Sequence, residues 1–187
     1  ENDGMPDVMR GEETQIVGAL ALSSQRGGLF LLPGTHSKWA KVQDGRIVSF
    51  RTFMTGEVFG ALKDHTILAR LMKNGNDPRA FARGVHEGAA LGGAGALLNR
   101  AFAARTYGLM DKLPGNALSD YLSGLLIGAE VTEATRQTRT NITIVASPAL
   151  ARRYADALHL LGNTSTLAPE DCVAAGHWRI AQVAGLV

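Results

Sequence analysis

The chain has 187 residues, 19 basic and 17 acidic, with a formal net charge of +2 and 45% hydrophobic residues. Such near-balance excludes a whole-molecule field drawing it to nucleic acid or lipid, and the length suits one domain, or one domain plus part of another, around a substantial core. The single cysteine, Cys172, excludes an internal disulfide and fits a reducing, cytoplasmic setting, while no apolar run approaches the roughly 18 residues of a membrane span.

In chain order, residues 1–11 are loop-like, and the opening ENDGMPDVMRGEE, with no initiator Met and no signal-peptide core, reads as the start of a fragment. Glu12 to Leu22 carry Ile16, Val17, Ala19 and Leu20 at helical spacing, with acidic residues in the first turn where the helix dipole favours them. Three strands, 29–33, 37–43 and 46–54, follow as a meander, the last two joined by an Asp44-Gly45 hairpin. Val58 to Met72 reads as a helix ended by Asn74-Gly75-Asn76 and Pro78. Ala80 to about Met110 suggests two short helices.

Asn116 or Ser119 is expected to cap the next helix, with Leu118, Leu122, Leu125 and Ala129 facing inward, Gly124 and Gly128 as a close-packing notch, and Glu130 exposed. Ile142 to Ala146 is a β-branched, buried-type strand. Ser147-Pro148 starts an amphipathic helix ending near Gly162. Thr164 to Leu167 is a weaker strand, and Pro169-Glu170-Asp171 opens the last helix. This order predicts an α/β fold, a mixed five-stranded sheet with helices on both faces. It matches one lobe of the ribonuclease H-like, actin-like ATPase architecture.

The turn between the first two strands carries the most chemistry. Gly34 lets backbone approach a ligand, and Thr35, His36, Ser37 and Lys38 surround that point with hydroxyls, amides and a cation, a set suited to phosphate. A polar hairpin turn without a ligand is the plain alternative. Gly92-Gly93-Ala94-Gly95 follows no strand and is not a dinucleotide motif. The histidines lack metal-ligand spacing, so no metal site is expected from protein ligands alone.

Several blocks in register carry a family resemblance. Asp7-Val8-Met9-Arg10-Gly11-Glu12-Glu13-Thr14-Gln15, Leu32-Pro33-Gly34-Thr35-His36-Ser37-Lys38-Trp39, Phe53-Met54-Thr55-Gly56-Glu57 and Leu122 to Val131 come first, then Ala151-Arg152-Arg153-Tyr154 and Ala174-Ala175-Gly176. Together they resemble the 2-dehydro-3-deoxygalactonokinase family. The resemblance implies an ATP- and Mg²⁺-dependent kinase of D-galactonate breakdown with two actin-like lobes, acting on a sugar acid at its 6-hydroxyl. The family's N-terminal Asp-Trp-Gly-Thr-Thr type of motif is missing here. Residues 1–26 are therefore expected to be the end of the N-terminal lobe and an interlobe helix. Residues 27–187 would be the C-terminal lobe with a helical insert at about 78–112, inactive by itself.

Residue by residue, the resemblance implies Glu13, or its neighbour Glu12, as the base that takes the sugar hydroxyl proton, with Arg10 and Gln15 holding substrate. The plain reading of the acidic pair is a favoured helix N-terminus. Arg10 suits a carboxylate as a planar fork, or is a solvated loop cation. Thr55 and Gly56 are candidate substrate contacts at a helix start, or an ordinary cap. Ser147 and Gly176 are candidate adenosine contacts, with packing the stronger reading for Gly176. A non-catalytic sugar- or nucleotide-binding sensor on the same fold, or a kinase for another 2-keto-3-deoxy acid, are the competing functions.

Overall fold

The computed structural model describes residues 5–137 and 140–187, which fall into two compact units. Of the described residues, the first unit contains 5–53, 140–155 and 163–187, and the second contains 54–137 and 156–162.

In the first unit, β1 (Gly28–Leu32), β2 (Ser37–Gln43) and β3 (Arg46–Phe53) form the expected antiparallel meander. Asp44 and Gly45 fill the hairpin at φ 49° and 75°, the paired left-handed conformations that let a two-residue loop match strand twist. Strands β4 (Ile142–Ile144) and β5 (Ser165–Leu167) add parallel to β1, so the five-stranded sheet runs β3-β2-β1-β4-β5 and is mixed, as predicted.

Side chains alternate across a strand, and pairing fixes which ones share a face. Phe30, Leu32, Lys38, Ala40 and Val42 share one face, where α1 (Glu12–Leu22) packs through Ile16 and Ala19, and α8 (Cys172–Val183) through Cys172. Helices α1 and α8 meet closely: a Cβ at Gly18 would overlap the Cys172 carbonyl, and one at Gly176 the Thr14 carbonyl. Leu29, Leu31, Trp39, Ile142 and Ile144 are buried on the opposite face. There Ser37 meets Tyr154 of α7 (Pro148–Leu160). Helices thus flank both faces of this sheet.

The outer edge, β3, is closed by the segment before α1. Asp7 accepts hydrogen bonds from Thr52 N–H at 2.9 Å and Thr52 Oγ1 at 2.6 Å, which occupies a backbone donor an edge strand otherwise leaves open. Burial alone would raise the Asp7 carboxyl, but these bonds, that from Val8 N–H and the charge of Lys38 hold it below the usual carboxylate range.

The second unit is helical and corrects several boundaries. The helix expected over Val58 to Met72 is α2 (Thr55–His65) followed by a 3₁₀ segment, Ile67–Leu71. Thr66 divides them: its hydroxyl donates back to Leu62 O and accepts from Leu68 N–H, ending one helix and capping the next. Three helices, not two, follow: α3 (Pro78–Ala89), α4 (Ala94–Ala101) and α5 (Ala103–Leu109). Asp77 caps α3 by accepting from Arg79 and Ala80 N–H, with Pro78 at the first helical position.

Helix α6 (Gly115–Thr135) begins before Asn116, with Pro114 rather than Asn116 or Ser119 at its N-cap. It is buried nearly all round: Leu118, Leu122 and Leu125 are inside as expected, and so is Glu130, at 3% exposure, against the expectation that it lies on the surface. The Gly124/Gly128 notch is present and has a mate. A Cβ on Gly124 or Gly128 would overlap the carbonyls of Phe81 or Val85 on α3, while one on Gly84 or Gly88 would overlap those of Tyr121 or Leu125 on α6. Four glycines interleave so that two backbones touch, and the 3.6-residue turn puts each pair, four apart, on one face.

Beside this contact lies a polar knot. The Glu87 carboxylate accepts from Arg83 Nε at 2.9 Å, Tyr121 OH at 2.7 Å, Tyr107 OH at 3.2 Å and Arg100 at 3.4 Å. The two tyrosine rings meet edge-to-face at 5.1 Å, and the Arg83 guanidinium sits 4.1 Å over the Tyr107 ring. Burial would raise the Glu87 carboxyl, but the bonds from Tyr121 and Arg83 outweigh it and hold it below its ordinary range. Burial, then Glu87, push the Tyr121 hydroxyl far above its ordinary range.

Candidate active site

A cleft of about 1040 Å³ opens in the first unit where β1, β4 and β5 end. The three strands are mutually parallel, so their carboxyl ends gather at one edge, the usual place for a ligand in an open α/β sheet. Each strand contributes the loop that follows it: Leu32 to His36 after β1, Val145 to Pro148 after β4, Ala168 to Glu170 after β5. The start of α1 supplies Arg10, Gly11, Glu12 and Gln15, and the first turns of α7 supply Ala151 and Arg152.

The β1–β2 turn meets the cleft with Pro33, Gly34, Thr35 and His36. Pro33 is buried, and Thr35 and His36 are exposed. A Cβ placed on Gly34 would meet nothing within 4 Å, so the backbone there borders open space. Ser37 and Lys38, expected beside it as ligand contacts, lie behind it instead and do not line the cleft. Both are buried, at 0% and 5% exposure. Ser37 Oγ is 3.0 Å from Tyr154 OH, and Lys38 Nζ is 3.9 Å from Glu12 Oε1.

The acidic pair is divided by the start of α1. Gly11 precedes the helix at φ 106°, a left-handed conformation that favours glycine. Glu12 Oε2 accepts from Arg10 N–H at 2.7 Å, and Glu13 Oε2 from Gly11 N–H at 2.8 Å. Both carboxylates therefore satisfy amides ahead of the helix, in keeping with the plain reading of the pair. Only Glu12 also lines the cleft. Its side chain is fixed by a backbone amide on one oxygen and the buried ammonium of Lys38 near the other.

Arg10 is exposed and, with Gln15, faces the cleft. Ser147 does so from the loop after β4, also exposed. Gly176 packs against Thr14 between α8 and α1 and is not among the lining residues. Thr55 and Gly56 open α2 in the second unit and do not line this cleft either. Sequence pattern alone does not single out Arg152 and Glu170, which line the cleft, or Tyr154, which lies behind the β1–β2 turn. Arg152 and Tyr154 stand in the quoted block Ala151-Arg152-Arg153-Tyr154, so their signal was present, whereas Glu170 read only as part of a helix start.

The polar set lining the cleft is mixed in charge, with Arg10, Arg152, Glu12 and Glu170 joined by the Gly34 turn. Cations and open backbone suit an anionic ligand, and a fixed carboxylate suits proton abstraction. Cys172 also borders the cleft, but its thiol is buried, donates to Pro169 O at 2.8 Å, and is pushed up by that burial. Among the described residues, no group of three or more His, Cys, Asp or Glu side chains gathers as a metal site, and no helix is long and apolar enough to cross a membrane.

Comparison with known proteins shows the family to which the chain belongs. The family model for 2-keto-3-deoxy-galactonokinase matches residues 1–180. The 2-dehydro-3-deoxygalactonokinase of Escherichia coli K12 is 38% identical over 164 residues, covering 86% of this chain and 54% of that protein. A Rhizobium meliloti 1021 protein, named "probable 2-dehydro-3-deoxygalactonokinase DgoK1", is 36% identical over 184 residues, covering 91% of this chain and 58% of its own length. A crystal structure of a Sinorhizobium meliloti protein, named "putative 2-dehydro-3-deoxygalactonokinase", superimposes with a TM-score of 0.90 at 32% identity, covering 98% of this chain and 62% of that one. The chain belongs to the 2-keto-3-deoxy-galactonokinase family. It spans 54% and 58% of the length of the two curated relatives it matches.

Proposed function

We propose that this chain is the phosphate-binding part of a kinase that transfers the γ-phosphoryl group of ATP to 2-dehydro-3-deoxy-D-galactonate, at its 6-hydroxyl, in D-galactonate catabolism. The observation that carries this reading is the convergence of the Gly34 turn and the Glu12 carboxylate on one cleft at the carboxyl ends of β1, β4 and β5. In this reading the fold is a ribonuclease H-like, actin-like lobe. Residues 1–26 are the end of the N-terminal lobe with the interlobe helix, and 27–187 are the C-terminal lobe with its helical insert at about 78–112. The protein works in the cytoplasm.

Phosphoryl transfer needs positioning and charge stabilisation more than covalent help from the protein. The Gly34-Thr35-His36 turn holds the phosphates, with Ser37 and Lys38 anchoring it from behind, and Ser147 borders the nucleoside. Mg²⁺, which would neutralise charge on the phosphates, would be held by the carboxylates that face the cleft, Glu12 and Glu170, since such a site takes only one or two from the protein. Arg10 and Gln15 orient the sugar acid, Arg10 through its carboxylate. Of the acidic pair, Glu12 takes the hydroxyl proton, since it faces the cleft; Glu13 holds the helix start.

The test is an activity screen of the full-length protein with ATP and several 2-keto-3-deoxy sugar acids. ADP release that depends on 2-dehydro-3-deoxy-D-galactonate, with a 6-phosphorylated product, is the expected result. No turnover with any of them, alongside intact nucleotide binding, would favour the sensor reading.

A further inference from the structure

The hydroxyls of Ser37 and Tyr154 form a buried pair, and from it we infer that Tyr154 is a positioning residue for nucleotide binding: it fixes the Gly34–His36 turn in place. The inference rests on the proposed function, in which that turn holds phosphate.

Ser37 is the first residue of β2 and immediately follows the turn. It is fully buried, its Oγ lies 3.0 Å from Tyr154 OH, and Tyr154 is itself 2% exposed. Neither lines the cleft. A buried hydroxyl without a partner is costly, so the pair is a directional constraint and not an incidental contact. Its two ends are informative. On one side lie Thr35 and His36, exposed at the tip of the turn; on the other lies α7, whose Ala151 and Arg152, in the turn leading to Tyr154, line the same cleft. The bond therefore ties the loop after β1 to the helix after β4, two of the walls that must keep a fixed spacing around a ligand.

The second anchor, Lys38 toward Glu12, acts on the opposite face of the sheet. The turn is thus held from both sides, while its tip has no covering side chain at Gly34. A loop that binds through its backbone depends on such support, because its own side chains do not define its shape.

The experiment is Tyr154→Phe in the full-length protein, with ATP affinity measured by isothermal titration calorimetry and KM measured for both substrates. The ring stays and one hydroxyl goes. The inference predicts ATP Kd and KM raised about five- to tenfold, with sugar-acid KM within twofold. Ser37→Ala, which removes the other hydroxyl, is predicted to do the same, and the double variant to be no worse than either single one. Tyr107→Phe, which removes a hydroxyl from the Glu87 knot, serves as the control for lost stability alone, and leaves ATP Kd unchanged.

Unchanged ATP affinity in both folded variants overturns the inference, and so does an equal loss in Tyr107→Phe. Should Tyr154→Phe not fold, Ser37→Ala decides alone. If the unaltered protein binds ATP but phosphorylates no sugar acid, the proposed function fails, and the binding comparison still decides this inference.

Discussion

Ser37 and Lys38 are neighbours in β2, yet they leave the sheet on opposite faces, the first toward Tyr154 and the second toward Glu12. Strand alternation forces that divergence. Its consequence is that the most polar pair of the Gly34–Lys38 segment supports the turn and does not coat it. A cation that reads from sequence as a phosphate ligand is set, buried, beside a carboxylate.

A first prediction concerns that cation. Lys38→Met in the full-length protein removes the charge near Glu12 but keeps a buried chain of similar length. The kcat is expected to fall about tenfold with ATP KM changed less than about threefold, because the ammonium orients Glu12 rather than the nucleotide. Steady-state kinetics with ATP varied checks it. A large rise in ATP KM with kcat preserved would put Lys38 on the phosphates after all.

A second separates the two carboxylates. Glu12→Gln keeps shape and hydrogen bonding but removes basicity, so kcat is expected to fall by about 10²–10⁴-fold with little change in sugar KM. Glu13→Gln, outside the cleft, is expected to cost less than about tenfold. The reverse order in the same assay would return the proton-accepting role to Glu13.

Most of the fold was legible in the sequence, and the reasons are local. The Asp44-Gly45 hairpin, the β-branched 142–144 strand and the α1 boundaries follow from turn chemistry and apolar spacing, and each was found within a residue or two. Misread elements were those decided by packing against other elements or by a single side chain at a junction. Glu130 looks like a surface residue until α6 is seen to be buried nearly all round. The Thr66 break depends on one hydroxyl serving both sides of a helix junction. In the site, Glu12 and Glu13 are indistinguishable by type and spacing, and only the helix phase after Gly11 sends one into the cleft. Tyr154 escaped because its partner is 117 residues away.

A third prediction tests the Glu87 knot. Glu87→Ala leaves the buried Tyr121 hydroxyl without its acceptor, at a cost of about 2–3 kcal/mol in urea unfolding at pH 7. The Glu87 carboxyl is held below its ordinary range, so its stabilisation is present above the unfolded value of about 4.3 and lost as pH falls through the lowered folded one. The difference between the variant and the unaltered protein is therefore expected to narrow as pH falls below about 4, leaving the part due to the Tyr121 hydroxyl. A difference that persists undiminished at low pH would show that packing, not the ionised carboxylate, is responsible.

A fourth contrasts two glycines. Gly124→Ala drives a methyl into the Phe81 carbonyl on α3, and separating the helices is expected to cost at least about 2 kcal/mol. Gly60, inside α2, has nothing within 4 Å of its added Cβ, so Gly60→Ala is expected to stabilise by about 0.5–1 kcal/mol through helix propensity. Thermal melts of both variants decide the matter, and equal effects would mean that α3 and α6 are not in backbone contact.

The central claim is that the turn after β1 holds the phosphates of ATP, and Gly34→Val addresses it most directly. Nothing in the fold lies within 4 Å of the added Cβ, so the variant keeps its structure while placing a branched side chain where a ligand would approach. The measurement is ATP affinity of the full-length protein and of Gly34→Val by titration calorimetry, with thermal melts run beside it. Affinity at least about tenfold weaker at an unchanged melting temperature is the predicted result; equal affinity in the two proteins would contradict the account and leave Gly34 in an ordinary hairpin turn.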